Sequence, residues 1–204
     1  MKLYWSSRSP YPRKVMAFAH EVGLAGRIET ARALVSMTAP NKELMRVNPL
    51  AKIPTLVTGD GMVLYDSSVI CEYLDTLHAG EKLFPADPAR RWPALRWQAL
   101  GNNMLDNLVP WRNERLRPQA QQSPETLAAF ELKIRNAVAS LDTEADALSR
   151  TPVGIGHVTI AVALGYIDFR FSDLAWRQGG QRIASWHDAF ARRPSMQATL
   201  PVDA

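Results

Sequence analysis

Two regimes of hydrophobic patterning divide the chain. Over residues 1 to 77, short apolar runs alternate with stretches of helical spacing. "KLYW" at the start has the length and composition of a strand. The segment from Pro10 to Val22 repeats Val15, Phe18, Ala19 and Val22 on one helical face, and Gly23 lies just past its end as a cap. "RIETARAL" is a weaker strand. "PTLV" and "MVLY" flank the turn sequence "TGDG", which predicts a hairpin. From Ser67 onward, Val69, Ile70, Tyr73, Leu74 and Leu77 recur as the core face of another helix. The order strand, helix, strand, irregular or helical segment, strand, strand, helix predicts a small α/β domain with a mixed sheet.

The stretch "HAGEKLFPADPARRWP" is rich in Gly, Pro and charge and reads as a linker. Beyond it the pattern is helical throughout. "PALRWQALGNNMLDNLVPWRNERLRP" predicts one long helix that Pro110 kinks. The clearest helix follows Ser123 and Pro124, with Leu127, Phe130, Ile134, Val138, Leu141, Ala145 and Leu148 every three or four residues. A third is expected from His157 to Phe171, and a fourth over "RIASWHDAFARR". The expected division is therefore 1–77, a linker at 78–88, and an all-helical domain at 89–204.

Composition narrows the functional classes. Hydrophobic residues make up 47% and charged ones 22% of 204 residues, which is ordinary for a folded soluble protein. No apolar run approaches the ~20 residues of a membrane-spanning helix. Ser and Arg interrupt the N-terminal apolar run by position 8, unlike a secretory signal, so the cytosol is the expected compartment. Cys71, the single cysteine, lies in an apolar stretch and reads as a core residue. The four histidines are scattered with no metal-ligand spacing, so no metal site is expected. The net charge of +4 is mild. "RRWPALRW" reads as a solvated helix face with Trp on its buried side rather than a nucleic-acid patch, and no nucleic-acid partner is expected.

Candidate chemistry gathers at three places. In "SSRSPYPRK", Ser9 precedes Pro10 and so occupies the first helix's N-cap, where unpaired N–H groups and the helix dipole favour negative charge. A serine there can be a cap and nothing more. In "KIPTL", Pro54 can stand only at the start of a strand. In "YDSS", Asp66 or Ser67 must cap the following helix.

These motifs, in this order, resemble the cytosolic glutathione transferases, bacterial and serine-type. "SPYPRKVMAFAHEVGL" is similar to their first strand-to-helix turn and helix, and "NPLAKIPTL" to their asparagine-proline stretch ending at a proline. "LYDSSVICEYLD" resembles the acid-then-serine opening of their third helix. "IAVALGYIDFRF" and "RPSMQATLP" are similar to the later helix and tail of bacterial members. The resemblance implies an N-terminal thioredoxin-like domain with a mixed four-stranded sheet, followed by a helical-bundle domain. It implies an enzyme that stabilises the glutathione thiolate and conjugates it to a small hydrophobic electrophile. Ser9 would donate to the sulfur, with Tyr4 on the first strand as rival. The Ile53–Pro54 bond would be cis and offer the Ile53 backbone to the cysteinyl unit, Lys52 would reach a carboxylate, and Asp66 with Ser67 would hold the γ-glutamyl end. Tyr11, Asn103, Asp106 and Trp111 would line the electrophile pocket. A homodimer is implied. A non-catalytic ligand- or protein-binding module, or a glutathione-dependent isomerase or peroxidase, is the alternative.

Two departures matter. The positions that carry Cys-x-x-Cys in thiol-disulfide enzymes of related fold read Ser9, Pro10, Tyr11, Pro12 here, so disulfide exchange through an enzyme sulfur is not expected. The capping box that opens the core helix of bacterial transferases is replaced by Gly156 and Thr159, with His157 as a partial substitute.

Overall fold

The computed structural model describes residues 1–203 and divides the chain into two compact units, one of residues 1–86 together with the segment from Pro194 onward, the other Asp87–Arg193. The first unit holds strand β1 (Lys2–Trp5), helix α1 (Pro10–Glu21), β2 (Glu29–Arg32), the short α2 (Lys42–Met45), β3 (Thr55–Val57), β4 (Val63–Leu64) and α3 (Ser67–Thr76). The strands form one sheet in the order β2-β1-β3-β4, with β1 parallel to β2 and antiparallel to β3, and β4 antiparallel to β3. This is the mixed four-stranded sheet that the alternation of runs predicts. Leu3 and Leu56 are fully buried and paired across β1 and β3, and Val15, Phe18, Ile70 and Leu74 supply buried faces of α1 and α3. α1 ends at Gly23, whose φ of +72° is a conformation glycine adopts at no steric cost.

Val69, expected on the core face of α3, is 46% exposed. It precedes Ile70, and adjacent helical positions point about 100° apart, so the two cannot share one narrow stripe. The linker is anchored by the buried Asp75, whose carboxylate accepts the N–H groups of Leu83 and Phe84 at 3.1 and 3.0 Å. The last segment, expected with the helical domain, belongs to the first unit. There α8 (Pro194–Gln197) packs on α1, and the Ser195 hydroxyl bonds Glu21.

The second unit is helical: α4 (Pro88–Arg115), α5 (Pro124–Arg150), α6 (Ile155–Arg170) and α7 (Gln181–Phe190). α4 starts five residues before the expected position, capped by Asp87, and runs through both Pro93 and Pro110. Both prolines are exposed, so the carbonyls they leave unmatched face solvent. Trp97 is buried but Trp92 is 68% exposed, which corrects the expectation of a single buried Trp face. Five residues rotate a helix by about 140°, placing the two indoles on different sides. α5 follows its predicted stripe, with Ile134, Val138, Leu141, Ala145 and Leu148 buried.

α4 and α6 approach closely because each offers a glycine. A Cβ on Gly101 would lie 2.8 Å from Thr159 Cγ2, and one on Gly156 would lie 2.7 Å from both the Ala94 carbonyl oxygen and Trp97 Cβ. Gly156 is therefore a packing position inside α6, not its cap. The N-cap is Gly154, whose N–H donates to His157 Nδ1 at 3.1 Å, while His157 Nε2 donates to the Leu148 carbonyl at 3.0 Å. One half of a capping box survives, since glycine has no side chain to reciprocate. α7 is capped from a distance: Asp142 on α5 accepts the N–H groups of Arg182 and Ile183 at 2.7 and 2.9 Å.

Candidate active site

Strand register places the three candidate segments together. β3 is antiparallel to β1 with Tyr4 opposite Thr55, so the segment entering β3 lies beside the segment leaving β1. β4 is antiparallel to β3 with Leu64 opposite Leu56, so the exit of β4 lies at that same end. The serine-bearing turn after β1, the Ile53–Pro54 step before β3 and the Asp66–Ser67 start of α3 thus share one end of the sheet.

The three opening serines are distinguished by their partners. Ser6 Oγ accepts the Arg8 N–H at 3.3 Å, and Ser7 Oγ donates to the Val202 carbonyl at 3.0 Å. Ser9 stands at the N-cap of α1 with φ −93° and ψ 127°, yet its side chain makes no cap hydrogen bond. The sequence explains this. An N-cap oxygen bonds the N–H of the second or third helical residue, and the third is Pro12, which has none. Pro10 also lacks an N–H, so Tyr11 carries the one backbone donor of the first three helical positions. Capping accordingly gives no account of the serine at position 9. Tyr4 is half-buried against the apolar cluster of Ala33, Leu44, Ala51 and Ile53, as a sheet residue would be.

The Ile53–Pro54 bond is cis, and the β-ladder begins only at Thr55, which leaves the Ile53 main chain outside the sheet. The loop before it is built by Asn48, a residue whose role the sequence does not disclose. Buried Asn48 donates to the Lys52 carbonyl at 3.2 Å and to Thr55 Oγ1 at 2.9 Å, and accepts the Leu50 N–H at 3.0 Å. Thr55 Oγ1 also donates to the Lys52 carbonyl at 2.8 Å. The main chain from 48 to 55 is thus held from inside, while the Lys52 side chain is exposed.

At α3, Asp66 is the N-cap and its Oδ1 accepts the Ser68 N–H at 2.9 Å. Ser67 is buried. The Tyr65–Asp66 bond is also cis. Beneath this turn, Lys14 from α1 donates to Ser68 Oγ at 3.5 Å. Cys71 is fully buried, and burial pushes its thiol up to about 12 despite the nearby Lys14 charge, as befits an inert core residue. No group of three or more His, Cys, Asp and Glu side chains suited to a metal occurs among the described residues. No helix among them is long and apolar enough to cross a membrane.

Of the residues expected to meet an electrophile, Tyr11 is half-buried in the first turn of α1. Asn103 and Asp106 are exposed one turn apart on α4. Trp111 is buried, with its ring 4.6 Å from that of Phe171. A separate concavity of about 610 Å³ lies in the second unit beside α5 and α7. Its Asp146 pairs with Arg182 at 2.7 Å, and its Ser149 and Ser185 hydroxyls donate to main-chain carbonyls. Little polar capacity is left there to fix a ligand.

The thioredoxin-like sheet followed by a helical unit defines a broad class of two-part proteins, and comparison with known proteins narrows it. Residues 8–77 match the family model described as glutathione S-transferase, N-terminal domain. A glutathione transferase family member from Pseudomonas fluorescens Pf-5, solved with bound glutathione, superposes with a TM-score of 0.95 at 40% identity, over 98% of each chain. A glutathione S-transferase from Methylobacillus flagellatus KT, solved with glutathione bound, gives a TM-score of 0.87 at 31% identity, over 98% of this chain and 99% of that one. The uncharacterized GST-like protein YibF of Escherichia coli K12 is 29% identical over 98% of each chain. The chain belongs to the glutathione S-transferase family.

Proposed function

We propose that the protein binds glutathione at this common end of its sheet, ionises the thiol with help from Ser9, and conjugates glutathione through its sulfur to a small hydrophobic electrophile. The observation that carries this reading is the convergence of Ser9, the cis Ile53–Pro54 step and the Asp66–Ser67 helix start at one end of the sheet. Each part has a job that its chemistry suits. The Ile53 main chain pairs with the cysteinyl unit as a short added strand. Asp66 takes the γ-glutamyl ammonium, and Ser67 with the α3 N–H groups takes its carboxylate. Lys52 answers the remaining carboxylate. Relatives that are 40% and 31% identical were solved with glutathione bound, which supports the choice of ligand.

A free thiol has a pKa of about 8.5, so only a few per cent is ionised at neutral pH. The Ser9 hydroxyl, uncommitted to its own helix, donates to the sulfur and favours the thiolate. The thiolate then forms a carbon–sulfur bond with the electrophile. The leaving group departs with its electron pair, and the thiol proton passes to solvent. The Pseudomonas fluorescens Pf-5 family member was also solved with S-(propanoic acid)-glutathione, in which the glutathione sulfur carries a second carbon in place of its proton. Tyr11, Asn103, Asp106 and Trp111 remain the proposed lining of the acceptor pocket. Met62 and Tyr65, which flank β4, and Val69 on α3 are large apolar side chains left exposed, which supports a homodimer through that face.

Calorimetric titration with glutathione, followed by turnover of a chloronitrobenzene and a panel of other electrophiles, tests the reading. Binding with turnover upholds it. Binding without turnover of any acceptor leaves a non-catalytic glutathione-binding module, and absence of binding removes the site altogether.

A further inference from the structure

The serine-bearing turn between β1 and α1 draws its support from two sources. Ser6 closes it internally: its carbonyl accepts the Ser9 N–H at 3.1 Å and its hydroxyl accepts the Arg8 N–H at 3.3 Å. The helix that follows adds little, since Pro10 and Pro12 have no N–H and the Ser9 side chain makes no cap bond. The side chains of Ser7 and Arg8 find their partners in the segment after Pro194. Ser7 Oγ donates to the Val202 carbonyl at 3.0 Å, 195 positions away in sequence, and Arg8 Nε stands 3.7 Å from Asp203 Oδ1. Two successive residues of the turn thus meet two successive residues of that segment. The segment is itself well anchored. Ser195, Met196 and Thr199 are buried, Thr199 Oγ1 donates to the Ser195 carbonyl at 2.8 Å, and the Ser195 hydroxyl bonds Glu21 in the last turn of α1. It therefore engages α1 at its far end and also the turn that precedes its first residue.

We propose that Ser7 is a positioning residue: by bonding the Val202 carbonyl it holds the turn where the Ser9 hydroxyl meets the glutathione sulfur. This rests on the glutathione reading above. A hydroxyl with no bond to its own helix depends on the main chain beneath it for its place, and hydrogen bonds weaken steeply once distance or angle leaves the optimum. The Arg8–Asp203 pair is exposed and adds little, so the Ser7 bond is the effective brace. An interaction can bias a conformational equilibrium by no more than its own net contribution, which for one neutral hydrogen bond is about 2.5- to 10-fold in population. Ordinary surface packing would be indifferent to the sulfur, whereas this role makes Ser7 act only through Ser9.

The test follows the thiol of bound glutathione by ultraviolet titration in the wild type, Ser7→Ala, Ser7→Thr, Ser9→Ala, the double variant of Ser7→Ala with Ser9→Ala, and a variant lacking residues 202–204. Thermal unfolding is recorded for each. Ser9→Ala raises the thiol pKa by about one to two units. Ser7→Ala raises it by about 0.4 to one unit, which is the same 2.5- to 10-fold bias read as a titration shift. Deleting 202–204 gives the same rise as Ser7→Ala, Ser7→Thr keeps the wild-type value, and the double variant matches Ser9→Ala alone. If Ser9→Ala shifts the thiol but Ser7→Ala or the deletion does not, the brace is overturned and the role of Ser9 stands. Full additivity in the double variant also overturns it, because Ser7 would then act independently of Ser9. A loss of thermal stability without a thiol shift in Ser7→Ala reduces the Val202 contact to packing. If Ser9→Ala leaves the thiol unmoved, the sulfur-donor reading fails and the proposal falls with it.

Discussion

Replacing Ser9 with alanine separates the two jobs a serine can do at a helix start. If the hydroxyl capped α1, its loss would cost about 1 kcal/mol of stability. The side chain makes no cap bond, and Pro12 lacks an N–H that could donate one. The expected loss is therefore within about 0.5 kcal/mol, the range of an uncommitted surface change. For a chain of this size that is a melting shift of under about 2 °C. Glutathione chemistry responds differently. A hydrogen bond to a charged partner contributes about 1.5–3 kcal/mol. At 1.36 kcal/mol per tenfold, turnover at neutral pH should fall about 10- to 150-fold, and the bound thiol's pKa should rise by about one to two units. Urea unfolding measures the first effect. Ultraviolet titration of the bound thiolate measures the second without reference to any electrophile. A stability loss of about 1 kcal/mol or more, with an unchanged thiol titration, would refute the reasoning and make Ser9 a cap after all.

Three further outcomes follow from the geometry. Asn48→Ala deletes the bonds to the Lys52 carbonyl and Thr55 Oγ1, so the glutathione dissociation constant should rise several-fold, roughly the effect of one net hydrogen bond, while thiol pKa stays constant; calorimetry and thiolate titration check both. Gly156→Ala forces a Cβ to within 2.7 Å of Ala94 and Trp97, and should destabilise the second unit by about 1–3 kcal/mol in chemical unfolding. Burial, outweighing the neighbouring Asp168 in the second case, lowers the pKa of both His157 and His187 below the ordinary imidazole value. The unfolded chain then takes up their protons first, so stability is complete above about pH 6.5 and falls as the pH drops below it. Denaturant titrations across that range should show His157→Gln flattening the slope; an unchanged slope would count against a neutral buried His157.

The legible parts of the chain were those written in local patterns. Alternation around "TGDG" specifies the hairpin, Pro10 and Gly23 bracket α1, and Ser123 opens α5, because each signal acts within one or two turns of backbone. What escaped was set by neighbours distant in sequence. Lys14 carries every mark of a surface residue, and only the placement of α3 against α1 buries it. Gly156 looked like a missing cap because the approach of α4 is invisible in the residues around it. Trp92 and Val69 depart from expectation for a different reason: an apolar side chain left in solvent has no local signature in the sequence. Ser9 stood between these cases. Its position is readable from Pro10, and Pro12 removes one of the two N–H groups it could cap, but that the remaining one at Tyr11 also goes unbonded by its side chain is decided by the fold.

The first unit is also discontinuous: a hundred-odd residues of helical chain are spliced between its two pieces. In chain order, the sheet and its serine-bearing turn precede the helical unit, whereas the strap formed by Ser195 on Glu21 and by Val202 on Ser7 follows it. On a ribosome the serine-bearing turn therefore gains its tether only after the whole helical unit has been made.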